Sequence, residues 1–153
     1  MSVKILWADD EIDLLKPHIL FLNNKGYEVI PVVSGNEVLE ILEKEVIDII
    51  FLDEQMPGLS GIETMKKIKA LHQDIPVVMI TKSEEEHIME DAIGSSIADY
   101  LIKPVNPNQI LLCIKKNIDN KKIVSEKSTI AYQQAFRNIS MRISDRLSLS
   151  EWD

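Results

Sequence analysis

Cysteine occurs once in the 153 residues, at Cys113, so no disulfide can close within the chain. A reducing compartment, the cytosol, is the expectation. Long apolar runs are missing too: none approaches the roughly eighteen residues that a membrane-crossing helix needs. The start, "MSVKILWADDE", interrupts its apolar stretch with acid too early for a secretory signal. Arginine is absent from residues 1–119, which carry 11 Lys against 21 Asp and Glu, a net of −10. Residues 120–153 reverse the sign, with 6 bases, three of them Arg, and 4 acids, a net of +2. The overall charge of −8 argues against direct nucleic-acid binding by the bulk of the chain. The shift near Asn120 sets an expected boundary between a domain at 1–119 and an appendage at 120–153.

What is present is a regular alternation of two periodicities. Short β-branched runs lie at Val3–Ala8, Glu28–Val33, Ile47–Asp53, Ile75–Thr81 and Ala98–Ile102. Amphipathic stretches separate them. "SGNEVLEILEKE" offers Ser34 as N-cap, and "SGIETMKKIKALH" offers Ser60 with Glu63 three residues on, the pattern of a capping box. Glu84–Gly94 and Pro107–Asn120 read as two further helices. Ile12–Lys25 reads as another, with Pro17 in its first turn or at a kink and Gly26 as its stop. Five β-α units in sequence predict an α/β fold, a doubly wound parallel sheet with helices on both faces. Ligands of such sheets sit beyond the carboxyl ends of the strands.

Those ends carry the chemistry. "ILWADDE" runs straight into Asp9, Asp10 and Glu11, and "IIFLDEQMPG" ends its apolar run in Asp53. The fourth strand ends in Thr81, and Lys103-Pro104 follow the fifth. Three carboxylates brought together repel one another unless a cation neutralises them. An oxygen-only donor set favours a hard divalent ion, most simply Mg²⁺, which shares its coordination with phosphate. An aspartate there can accept a phosphoryl group as nucleophile. Alone, Asp9–Glu11 would be read as acid loading a helix N-terminus, and Tyr100 as a half-buried strand aromatic.

"ADDE", "FLDEQMPGLSG", "MITK" and "DYLIKP", in this order, resemble the signature set of the receiver domain of bacterial two-component response regulators, over about residues 3–119. The resemblance implies a CheY-like, flavodoxin-like (βα)5 fold with strand order 2-1-3-4-5. It implies that Asp53 is the phosphoacceptor, with Lys103 and Thr81 contacting the phosphoryl group. It implies Mg²⁺ held by Asp10, Asp53 and the backbone carbonyl of Gln55, with Asp9 acting through water. Tyr100 matches the aromatic that turns inward with Thr81 during switching, and Pro104 matches a cis proline. Gln55 and Ser83 occupy the variable positions flanking the attacking water. One departure stands out: the residue after Thr81 is usually very small in this family, and here it is Lys82, which is expected to alter phosphorylation kinetics.

The tail has Tyr132, Phe136, Ile139 and Ile143 at helical spacing, a seam too short to fold alone. With Trp152 near its end, the tail is expected to continue in the parent chain as a helical extension or bundle. The whole sequence is similar to PorX-type regulators linked to type IX secretion. That likeness implies a C-terminal effector region outside these residues and an output other than direct DNA binding. The receiver resemblance implies a sensor histidine kinase as phosphodonor and a switch that controls either self-association, as a phosphorylation-dependent homodimer, or that effector. Two alternatives stand beside this reading: an unphosphorylated pseudo-receiver, and a phosphatase of the haloacid dehalogenase type. The latter places an acid two residues after its nucleophile, where Gln55 stands.

Overall fold

The computed structural model describes residues 2–72, 74–82 and 97–118. The expected helix at 84–94, Ser83 and the tail seam lie outside the described residues. The five expected strands form, each within two residues of its expected start: β1 Lys4–Ala8, β2 Glu28–Val32, β3 Ile49–Asp53, β4 Val77–Thr81 and β5 Asp99–Ile102. All pair in parallel, in the order β2-β1-β3-β4-β5. Beyond its first residue β1 is buried throughout, as are β3 and β4 from end to end, whereas β2 and β5 are partly open edges. Uninterrupted apolar strands therefore sit where both faces are covered. Pro31, which has no N–H for a ladder, is tolerated because β2 is an edge.

Two layers of helix cover the sheet. On one face, Val38 and Leu42 of α2 (Gly35–Lys44) and Met65 and Ile68 of α3 (Gly61–Leu71) cluster with Leu6, Leu52 and Met79. On the other, Trp7 packs on Phe51 at 5.3 Å and edge-on to His18 of α1 (Lys16–Asn24) at 6.1 Å. Burying side chains of this size stabilises the fold by roughly 1.5–3 kcal/mol each. The ambiguity at Pro17 resolves in favour of the first turn: a 3-10 turn at Ile12–Leu15 precedes α1, and the proline stands at its start, where a missing N–H costs nothing. The box at Ser60 also forms, its Oγ accepting from Glu63 N and Glu63 Oε1 accepting from Ser60 N, both at 3.1 Å. Hydrogen bonding from Ser60, its backbone N–H first, holds the Glu63 carboxyl below its usual pKa. A further helix covers 107–118, with Ile110, Cys113 and Ile114 buried.

Candidate functional site

The parallel arrangement puts every strand's carboxyl end on one edge, and four of the five expected side chains arrive there buried or nearly so. Asp9 follows β1, Asp53 closes β3, Thr81 closes β4, and Lys103 follows β5; Asp9, Asp53 and Thr81 are at most 3% exposed. Asp10 stands beside Asp9 on the exposed side of the turn. One carboxylate oxygen from each of Asp9, Asp10 and Asp53 lies within 4.8 Å of the other two.

Lys103 binds this cluster together. Its Nζ donates to Asp9 Oδ2 at 2.8 Å and lies 3.3 Å from Asp53 Oδ2. Burial works against its charge, but the hydrogen bond to Asp9 and the charges of Asp53 and Asp9 outweigh burial and raise its pKa. Burial also dominates at Asp53: with the charge of Asp9 added, and Lys103 opposing both, its carboxyl is pushed from 3.8 up to about 6. Two buried carboxylates, with exposed Asp10 at their rim, face one ammonium and leave an excess of negative charge that a cation would relieve.

The backbone around the acids is tied down from several directions. Asp9 Oδ1 accepts from Glu11 N at 2.8 Å, and Asp53 Oδ1 from Gln55 N at 3.4 Å. Lys103 N donates to Thr81 O at 2.6 Å, and Glu54 N to Ile80 O at 2.9 Å, so each loop after a strand is hung on its neighbour. The Lys103–Pro104 peptide is cis, as the resemblance implied.

The remaining expected residues fall around the rim. Gln55 is exposed beside Asp53, and Lys82 is exposed beside Thr81, its Nζ 3.7 Å from Glu11 Oε1. Tyr100 is half-buried on β5 and packs against the cluster beneath α2 and α3. Mg²⁺ fits the donor set: all donors are oxygen, and an ion holding oxygens at about 2.1 Å spans at most about 4.2 Å, a slight contraction of the acids as they stand.

Two contributors escaped the sequence reading. His18, whose place in the sequence suggests only surface or helix packing, has Nε2 2.6 Å from Val105 O, and since a carbonyl only accepts, Nε2 donates. It thereby ties α1 to the loop that carries Lys103. Gly61 is the other. A Cβ there would lie 2.5 Å from Asp53 O and 2.8 Å from Glu54 Cα, so only glycine lets α3 start so close to the acceptor loop. The signal was available: a glycine at the first position of a well-capped helix, where almost any other residue would form helix better.

The sequence matches the Response regulator receiver domain family over residues 5–115 and the PorX response regulator linker domain family over 122–153. It is similar to the regulatory protein VanRc of Enterococcus gallinarum, 31% identical over 77% of this chain and 51% of that protein. It is also similar to the response regulator SaeR of Staphylococcus epidermidis, 34% identical over 71% of this chain and 47% of that protein. The chain thus spans about half the length of these curated relatives. Among solved structures, a CheY-like receiver domain from Methanospirillum hungatei JF-1 superposes with a TM-score of 0.72 at 28% identity, covering 80% of this chain and 98% of that one. A receiver domain from Clostridium thermocellum also gives 0.72, at 30% identity, with the same coverage of 80% and 98%.

Proposed function

Because the chain belongs to the response regulator receiver family of two-component systems, a signalling rather than an enzymatic kind of protein, we propose that Asp53 is its phosphoacceptor. The observation that carries this reading is the meeting of Asp9, Asp10, Asp53 and Lys103 at one sheet edge, with Asp53 buried yet close to both an acid pair and a cation. At neutral pH a carboxyl of pKa about 6 is mostly ionised, so the nucleophile is available. An Asp53 oxygen attacks phosphorus, the bond to the donor's imidazole nitrogen breaks, and the imidazole leaves with the electron pair. Lys103, released in part from Asp53, turns its charge to the phosphoryl oxygens. The Thr81 hydroxyl, a strand away, hydrogen-bonds one of those oxygens, and Tyr100 follows it inward. Asp10, Asp53 and the Gln55 carbonyl would hold Mg²⁺, with Asp9 acting through water. The ion supplies positive charge to the phosphoryl oxygens.

A sensor histidine kinase is the donor in this reading, and the output passes through the tail and an effector region beyond it, or through self-association. The match of 122–153 to the PorX linker family supports placing the receiver boundary near 119 and the system in type IX secretion signalling. Among the described residues no helix is long and apolar enough to cross a membrane. A cytoplasmic location belongs to the same reading, because the donor domain of a sensor kinase works there. Ser83, Gln55 and Lys82 tune the lifetime of the phosphoryl group.

Acetyl phosphate with Mg²⁺, read by intact mass, tests the assignment. A gain of about 80 Da in the wild type that is lost in Asp53→Asn is expected. A gain that survives in Asp53→Asn refutes it by placing the phosphoryl group on another residue, and no gain in either protein refutes it and favours a pseudo-receiver.

A further inference from the structure

A cleft of about 410 Å³ opens beside Asp9, the neighbour of Asp53 in the aspartate cluster, and two lysines line it at different depths. Lys103 has its side chain 20% exposed and is held by Asp9 and Asp53. Lys82 is 57% exposed and is held by Glu11, which lines the same cleft. The second pair has a topological consequence. Glu11 follows β1 and Lys82 follows β4, and in the order β2-β1-β3-β4-β5 those two strands flank β3, whose last residue is Asp53. The Glu11–Lys82 contact therefore bridges the two loops on either side of the acceptor.

The charges around this entrance are unbalanced. Among the described residues of the aspartate cluster and the cleft, Asp9, Asp10, Glu11 and Asp53 contribute four negative charges, and Lys82 and Lys103 two positive ones. Lys103 is already engaged with two buried acids, so among the described residues of the cleft Lys82 is the lysine left to meet an incoming anion. Its partner Glu11 is solvated at 3.7 Å, and exposed pairs of this kind are weak and open readily.

We propose that Glu11 and Lys82 form an electrostatic gate over Asp53 that selects phosphodonors by charge, a reading that rests on Asp53 being the phosphoacceptor. Lys82 draws in dianionic donors of the acyl phosphate class, and Glu11 competes with the donor for the Lys82 ammonium. Once the donor is seated, an Asp53 oxygen bonds to phosphorus, the bond from phosphorus to the acyl oxygen breaks, and the carboxylate leaves with the electron pair. The gate acts before this step, on capture. It therefore changes the donor concentration needed for half-maximal rate and leaves the rate at saturation nearly alone.

The test is a double-mutant cycle on the full chain with Mg²⁺, using acetyl phosphate (a dianion) and phosphoramidate (a monoanion at neutral pH), read by intact mass at low and at about 0.5 M salt. One charge acting on a doubly charged donor across several ångströms of solvent predicts a change of about two- to fivefold at low salt. Lys82→Ala raises the half-saturating acetyl phosphate concentration by that factor, Glu11→Gln lowers it, and Lys82→Arg behaves like wild type. The gain from Glu11→Gln shrinks by more than half when it is combined with Lys82→Ala. All effects are smaller for phosphoramidate and fade at high salt. Additive effects, equal effects on both donors, or changes confined to the saturating rate overturn the gate while leaving the phosphoacceptor intact. A wild type that gains no mass from either donor removes both.

Discussion

Replacing Asp53 by Asn in the absence of divalent ions should make the protein more stable at neutral pH. The carboxyl is 3% exposed, and its pKa stands near 6 instead of 3.8, first because burial disfavours its charge and next because Asp9 repels it. For an acid whose folded pKa lies above its unfolded one, the unfolded chain ionises first as pH rises. The side chain is neutral in both states below about pH 4. Stability is then lost progressively between about 4 and 6, and the loss is complete above 6. A gap of about two units is worth roughly 3 kcal/mol at pH 7. The opposing pull of Lys103 at 3.3 Å is already contained in that gap, and a net gain of about 1–3 kcal/mol is expected. For a domain of this size that is a rise in melting temperature of about 4–10 °C. The assay is thermal unfolding with EDTA at pH 5 and pH 7, wild type against Asp53→Asn. Linkage predicts that the gain at pH 5 is about half that at pH 7. A gain that does not change with pH, or an Asn variant less stable at pH 7, would refute the premise that burying this charge costs folding energy. Adding Mg²⁺ should narrow the gap, because it stabilises the wild type and has less to bind in the variant.

The same electrostatics predict the opposite outcome at Lys103. Lys103→Met leaves Asp9 and Asp53 buried without their ammonium, and a loss of about 1–3 kcal/mol in EDTA is expected, discounted for the partial exposure of the lysine. Mg²⁺ should restore part of that loss but not the mass gain from acetyl phosphate; full stability in EDTA would contradict the ion-pair account. Gly61→Ala should cost about 1–3 kcal/mol by thermal unfolding and slow phosphorylation, because its Cβ would meet Asp53 O at 2.5 Å. Unchanged phosphorylation in that variant would show that the acceptor loop can shift without penalty.

Much of the fold was legible because its signals are local. Short β-branched runs marked all five strands, and Ser34 and Ser60 marked two helix starts, each seen accepting from the backbone three residues on. The candidate site was legible for a different reason. Four motifs each end a strand, and a parallel sheet must deliver strand ends to one edge, so Asp9, Asp10, Asp53, Thr81 and Lys103 could be grouped from their order in the chain. Less visible were contacts that depend on how close two distant segments come. The bond from His18 to Val105 spans 87 positions, and no spacing rule anticipates it. The 3-10 turn before Pro17 likewise goes with the burial of Ile12, not with a propensity of the turn itself.

The amino-acid order alone determined which residues would be strand ends and which would carry charge, because backbone preference and apolar periodicity act over a few neighbours. Tertiary structure decided what those charges do to each other. Only packing put Lys103 2.8 Å from Asp9, buried Asp53 enough to move its proton affinity, and joined Glu11 to Lys82 across the strand between them. Coulomb energy and desolvation depend on distance and burial in space, and neither quantity exists until the chain has folded.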